Sequence, residues 1–204
     1  MKDNANSISE QMSKTKNMTV IGLMTAVICI AAPFSIPIPV SPVPLSLTNF
    51  IIFLAVYILG MKSASVCVIL YLMLGAAGLP VFSSFSGGLA KLAGPTGGYL
   101  AGFILLALIQ GFFLDHFPGK KYTAILGMIL GMSVCYVFGT AWLAWQTGQS
   151  FIAALAIGVL PYLPGDAVKV IIAAIIGPKL RASIRKQGSY NKKFLVCRTK
   201  CRWG

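Results

Sequence analysis

The sequence predicts an all-α integral membrane protein of six transmembrane helices, the last of them interrupted and the third and fourth joined by a long external loop. Composition is the first reason. Of 204 residues, 57% are hydrophobic and only 10% charged, and the mean hydropathy of +0.83 leaves too little polar surface to solvate a globule. Charge placement is the second. Acidic side chains are confined to Asp3, Glu10, Asp115 and Asp166, against seventeen Lys and Arg and a formal charge of +13. The basic residues fall at Lys2, Lys14 and Lys16, at Lys62, at Lys120 and Lys121, and in a dense group from Lys179 through Arg202. With the N-terminus inside and six spans following, all of these lie on the cytoplasmic side and only Lys91 and Lys169 do not, as the positive-inside bias requires. The chain is therefore expected in the cell membrane as a multi-pass protein with both termini cytoplasmic. Its basic residues flank apolar spans instead of interleaving with aromatics on a folded surface, which makes the lipid bilayer a partner and excludes nucleic acid.

Residues 1–17 read as a polar cytoplasmic tail, disordered or lying at the surface, residues 18–186 as one membrane domain, and residues 187–204 as a basic cytoplasmic tail. The first span, Met18 to Ala32, is closed by Pro33 and lacks the small-residue cleavage site of a secretory signal. Gly22 and Ala26, four apart, give it one small face on which a partner helix can approach closely in lipid. From Pro33 to Pro44 the recurring prolines remove donors and bias their predecessors to extended geometry, so this segment is a stiff external loop or cap. Leu45 to Met61 is the second span, and with almost no loop beyond Lys62 the third, Ser63 to Leu79, must be its antiparallel neighbour. The connection from Pro80 to about Gly97 is rich in glycine around Lys91 and Pro95; irregular backbone near membrane depth is tolerated only where it is buried in protein or lines a wet cavity. The fourth span is Gly98 to Leu114, and the turn after it carries His116, the single histidine, as a solvated residue. Tyr122 to Trp145 is the fifth span, with Trp142 and Trp145 at the external interface. An apolar helix from Ser150 to Leu160 is broken by Pro161 and Pro164, and the last span runs from Gly165 to about Leu180.

That break carries the chemistry. Asp166 and Lys169 are the only ionisable pair inside a membrane-length stretch, and a charged side chain at membrane depth costs at least about 2.5–3.5 kcal/mol on insertion scales, so such residues usually face a cavity or a partner. Pro164 suits the first turn of a new helix, and discontinuous helices of this kind build transporter sites. Three apart, the two side chains share a helical face. From the residues alone two readings stay open. One is a structural ion pair, with Asp166 a helix-start acid that Lys169 neutralises. The other is a small external cavity in which the ammonium meets a ligand carboxylate or carbonyl and the carboxylate accepts N–H donors of the same molecule. Tyr99, Tyr136, Phe138, Trp142 and Tyr162 are the candidate walls, a lining suited to an amphipathic small molecule, although each alone is equally at home in lipid contact or helix packing.

Catalytic chemistry is not encoded. Gly119-Lys120-Lys121 lacks the earlier glycine and the hydroxyl of a phosphate-cradling loop, so no nucleotide hydrolysis is expected of this chain. Asp115 and Asp166 are the only acids beyond the N-terminal tail, too few for a metal-binding carboxylate cluster or an acid–base pair. Of the five cysteines, Cys29, Cys67 and Cys135 lie in apolar runs as small hydrophobes, and Cys197 and Cys201 have no companion ligand nearby. No catalytic residue, cofactor or metal is expected, and any energy must come from a partner or a gradient.

Five separated motifs carry a family resemblance. They are Pro42-Val43-Pro44-Leu45-Ser46-Leu47, Gly78-Leu79-Pro80-Val81-Phe82, Gly94-Pro95-Thr96-Gly97-Gly98-Tyr99, Phe138-Gly139-Thr140-Ala141-Trp142 and Pro164-Gly165-Asp166-Ala167-Val168-Lys169. In this order, across residues 18–186, the chain resembles BioY, the biotin-binding S components of energy-coupling factor (ECF) transporters. The resemblance implies a six-helix protein that binds biotin from outside, with a transmembrane coupling subunit and two ATPase subunits as partners. It also implies that Asp166 and Lys169 contact biotin. Where members of the family often carry Asn and Arg in the third-to-fourth connection, this chain offers Ser83, Ser84 and Lys91, with Ser84 and Lys91 as candidate contacts beside Tyr99, Tyr136 and Trp142. The docking pattern of the first helix is kept in part, as Gly22 and Ala26. An S component for another vitamin and a scaffold that binds no small molecule are the alternatives.

Overall fold

The computed structural model describes the backbone of residues 2–36, 45–117 and 121–200, and side chains over 15–35, 46–117 and 122–183. The centre of the proline-rich segment, Lys120 and the last four residues, Cys201 among them, lie outside the described residues. In chain order the elements are α1 (Lys2–Ala31), β1 (Ser35–Ile36), β2 (Leu45–Ser46), α2 (Thr48–Ala76), a 3-10 turn (Ser83–Phe85), α3 (Leu89–Ala93), α4 (Gly97–His116), α5 (Lys121–Thr147), α6 (Phe151–Gly158) and α7 (Leu163–Lys200).

The protein is thus helical, as expected, with differences of detail that have local causes. The polar N-terminal segment is helical in backbone and continuous with α1, since nothing between Lys2 and Asn17 is a glycine or proline that would stop it. The proline-rich segment is closed at its base by a two-residue antiparallel ladder that pairs Ser35 with Ser46 and Ile36 with Leu45. His116 is the last residue of α4, not a loop residue, and its ring stacks on Phe112 with centroids 4.3 Å apart. Among the described residues three helices are long and apolar enough to cross a membrane, Thr48–Ala76, Gly97–His116 and Tyr122–Thr147, and a fourth span is formed if α6 and the first part of α7, bent by 57°, count as one.

Within α2, Gly60 leaves the helix with φ 76° and ψ −179°, a conformation that only glycine adopts without strain. The two limbs on either side of it follow α4 in opposite directions. Phe53 accepts a 3.2 Å bond at its carbonyl from Gln110 Nε2, Met61 donates its N–H to Asp115 Oδ2 at 2.9 Å, and Tyr71 packs in one cluster with Leu100. Moving away from Gly60 along either limb therefore leads back toward the start of α4.

The tightest pair is α4 and α5, and small residues set its register. A Cβ built on Gly98 would lie 3.2 Å from Gly139 Cα, on Gly102 3.2 Å from Cys135 Cα, on Gly131 3.3 Å from Leu106 Cα, and on Gly127 3.3 Å from Gln110 Cα. Each step of four along α4 meets a step of four back along α5, so the helices run antiparallel with backbones in close approach, as small-xxx-small patterns permit. The main core, with Ile52, Phe53, Val56, Leu106 and Met128 fully buried, lies between α2, α4 and α5 and is continued by Ala173 of α7. A second cluster joins Ile28 of α1, Cys67 and Tyr71 of α2, and Phe82 beyond it; the Phe82 ring sits edge-on to Tyr71 with centroids 5.5 Å apart. This pins the start of the α2–α4 connection into the bundle.

Candidate functional site

At the head of α7, Tyr162 precedes the helix and Asp166 and Lys169 follow at intervals of four and three, so the three side chains fall on one face. The bend between α6 and α7 turns that face into the bundle, leaving Asp166 7% and Lys169 9% exposed. Their charged atoms, Oδ1 and Nζ, are 2.8 Å apart. Asn49, in the first turn of α2, completes the group: its Nδ2 donates to Asp166 Oδ1 at 2.8 Å and its Oδ1 accepts from Lys169 Nζ at 3.2 Å. Tyr136 of α5 donates its hydroxyl to Asp166 Oδ2, and Lys169 Nζ also donates to the Ser46 carbonyl of β2 at 2.6 Å.

An isolated buried charge costs several kcal/mol, and a buried pair repays this only where its remaining donors and acceptors are also met. Here they are. The ammonium has three protons and three acceptors, and both carboxylate oxygens receive donors. The group gathers residues from β2, α2, α5 and α7, so four segments must be in place for it to form.

A cavity of about 50 Å³ adjoins it, walled by Ser46, Asn49, Phe103, Met132, Cys135, Tyr136, Gly158, Tyr162, Asp166 and Lys169. A second, of about 40 Å³, shares Ser46 and Phe103 and is otherwise lined by Phe82, Ser83, Lys91, Thr96, Tyr99 and Leu100. Phe103 and Ser46 form the partition between them, and each chamber holds a few waters at most. In the second chamber the Thr96 hydroxyl is buried with no hydrogen-bond partner among the described residues. A buried orphan of this kind costs about 1–3 kcal/mol unless water or a ligand supplies the missing bond.

The expected residues distribute as follows. Asp166, Lys169, Tyr136 and Tyr162 line the first chamber, and Lys91 and Tyr99 the second, where the Tyr99 hydroxyl stands 3.2 Å from Thr140 Oγ1. Trp142 lines neither; its Nε1 donates to the Gly94 carbonyl at 2.9 Å, anchoring the connection into α4. Ser84 is exposed, at φ 61°, and lines neither chamber, its Oγ lying 3.2 Å from Ser35 Oγ; Ser83 takes the lining position. Phe138 is 44% exposed, because two residues along a helix is about 200° of rotation from Tyr136. Gly22 and Ala26 lie exposed on α1, and a Cβ on Gly22 would meet nothing within 4 Å. Asn49, Ser46, Phe103, Met132 and Cys135 were not among the expected lining. The available signal was Asn49 itself, an amide at the head of an apolar run from residue 50 to 59.

The family model of BioY matches residues 3–186. The chain belongs to the BioY family. Among its relatives, a probable biotin transporter BioY of Pyrococcus horikoshii is 37% identical over 170 residues, covering 83% of this chain and 99% of the relative. The biotin transporter BioY of Thermotoga maritima is 38% identical over 160 residues, covering 78% and 92% respectively. A crystal structure of the S-component for biotin from an ECF-type ABC transporter superposes with a TM-score of 0.78 at 32% identity, over 83% of this chain and 93% of that one. The family match over residues 3–186 takes in every residue that lines the two chambers.

Proposed function

We propose that this chain is the biotin-capturing S component of an ECF-type vitamin uptake transporter. The observation that carries the reading is the fully hydrogen-bonded group of Asp166, Lys169, Asn49 and Tyr136 on the wall of a chamber, in a chain of the BioY family. Biotin has N–H donors and a carbonyl on its ureido ring and a carboxylate at the far end of an aliphatic chain. Asp166 accepts the ring N–H groups and Lys169 donates to the carbonyl, in exchange for internal partners they already hold. The second chamber, with Lys91 and the orphan hydroxyl of Thr96, takes the carboxylate end. The aliphatic chain passes Phe103, so this side chain swings aside as the chambers join.

The membrane arrangement we infer has six spans: α1, the two limbs of α2 about Gly60, α4, α5, and the α6–α7 pair. Residues 18–186 form the substrate-binding domain between a cytoplasmic N-terminal tail and a basic cytoplasmic C-terminal tail, and the α2–α4 connection lies outside, where Lys91 meets ligand. The positive-inside placement of Lys62, Lys121 and the residues after Lys179 supports that orientation. The chain binds and does not catalyse. A transmembrane coupling subunit docks on the exposed small face of Gly22 and Ala26, and two ATPase subunits supply the energy.

Calorimetric titration of the purified chain with biotin, carboxyl-amidated biotin, thiamine and riboflavin tests the reading. Saturable binding of biotin, weakened by amidation, is expected. Binding of thiamine or riboflavin in preference to biotin would assign the chain to another vitamin. No binding of any of the four, with no biotin retained on purification from biotin-containing medium, would leave the ion pair structural and the chain a scaffold.

A further inference from the structure

A larger cavity, about 560 Å³, lies at the opposite end of the bundle, where the Gly60 turn of α2 meets the end of α4 and the middle of α7. Its floor is apolar, made by Ile58, Leu59 and Met61, and Phe112 flanks it at 45% exposure. Its rim carries Lys62, His116, Arg181 and a single acid, Asp115. That acid is already engaged: Oδ2 accepts the Met61 N–H at 2.9 Å and Oδ1 lies 3.5 Å from Arg181 Nη2. Lys62 is exposed and no described carboxylate neutralises it. The rim therefore keeps an excess of positive charge above an apolar floor.

We propose that this cavity seats the phosphodiester headgroup of an anionic phospholipid. The phosphate lies between Lys62 and Arg181, and the glycerol and upper acyl carbons cover the floor and the Phe112 ring. Charge complementarity selects the headgroup, since basic pockets between transmembrane helices at a cytoplasmic face bind anionic lipid headgroups. The floor selects an amphiphile over free phosphate, which would leave Ile58, Leu59 and Met61 uncovered. The site is independent of biotin, sharing no residue with either chamber.

Native mass spectrometry of the full chain, released from micelles containing equimolar phosphatidylglycerol and phosphatidylcholine, tests the proposal. Wild type should retain phosphatidylglycerol in preference to phosphatidylcholine, and Lys62→Glu should cut that adduct at least about fivefold. Lys179→Glu makes the same change of charge at an exposed residue outside the cavity and should leave the adduct near the wild-type level. Excess inorganic phosphate should not displace the lipid. Equal losses in the two variants would reduce the effect to general attraction by the basic end, and displacement by phosphate would make the ligand a free anion; either result overturns the proposal. Retained biotin binding in Lys62→Glu reports that the variant is folded.

Discussion

Asn49 and Lys169, 120 positions apart in sequence, meet at 3.2 Å through the amide oxygen of one and the ammonium of the other. The same amide turns its nitrogen to Asp166 Oδ1 at 2.8 Å, so Asn49 accepts from the cation and donates to the anion of one ion pair. The Phe50 N–H also donates to Asn49 Oδ1, at 3.1 Å. Only an amide has an acceptor and a donor so disposed. Asn49 is thus the clamp that holds α2 to the head of α7.

Asn49→Ala removes both bonds from charged groups, and Asn49→Asp keeps the acceptor but places a second carboxylate beside Asp166. Hydrogen bonds to charged groups contribute about 1.5–3 kcal/mol each. Biotin affinity should fall at least about tenfold in Asn49→Ala and further in Asn49→Asp, measured by calorimetric titration. Unchanged affinity in both would remove Asn49 from the site.

The ion pair itself separates the two roles left open by the sequence. Asp166→Asn and Lys169→Ala each strand a buried partner and should weaken biotin binding by at least about 2 kcal/mol. A purely structural pair would behave differently, with thermal unfolding lowered and biotin affinity intact in whatever fraction remains folded. Recording both quantities on the same preparations distinguishes them.

How far the sequence reached is clear from these residues. Asp166 and Lys169 were legible because a charge in an apolar run stands out and a spacing of three fixes their mutual face. Asn49 was not, since an amide near a helix start has a ready local use, and only the tertiary approach of α2 to α7 makes it a bridge. The aromatic wall was overdrawn where helical phase was ignored: Tyr136 and Phe138 cannot both face inward from α5, and Phe138 is exposed. Ser84 lines neither chamber: it is exposed in the 3-10 turn at φ 61°, a local geometry that the surrounding sequence does not signal. The helix boundaries, by contrast, followed from proline, glycine and charge punctuation to within a few residues, save at the N-terminal segment, in the α2–α4 connection where α3 was not expected, and at the far end of α7.

Gly139 shows how closely the second chamber depends on small residues. A Cβ there would lie 2.2 Å from Tyr99 Cδ1, and Tyr99 lines the chamber from its position beneath Thr96 in sequence. Gly139→Ala must displace the ring or spread α4 from α5, and overpacking of this kind costs about 1–3 kcal/mol. A lower thermal midpoint in detergent is expected, together with weaker biotin binding. Tyr99→Ala in the same background should restore part of the midpoint by clearing the clash, whereas a rise in the midpoint of Gly139→Ala alone would contradict the packing described.

Gly22 is the opposite case, because open space surrounds it. A Cβ there meets nothing within 4 Å among the described residues, so Gly22→Leu should keep the thermal midpoint and biotin affinity of the wild type. Between membrane helices, however, close approach rests on small side chains, and a leucine on the facing surface holds the backbones apart. Co-expression with the coupling and ATPase subunits proposed above as partners should therefore yield wild-type chain in the purified complex and Gly22→Leu largely free of it. Biotin binding by the isolated variant shows that the loss lies in assembly and not in folding. If the variant enters the complex as fully as the wild type, the docking face is elsewhere on the bundle.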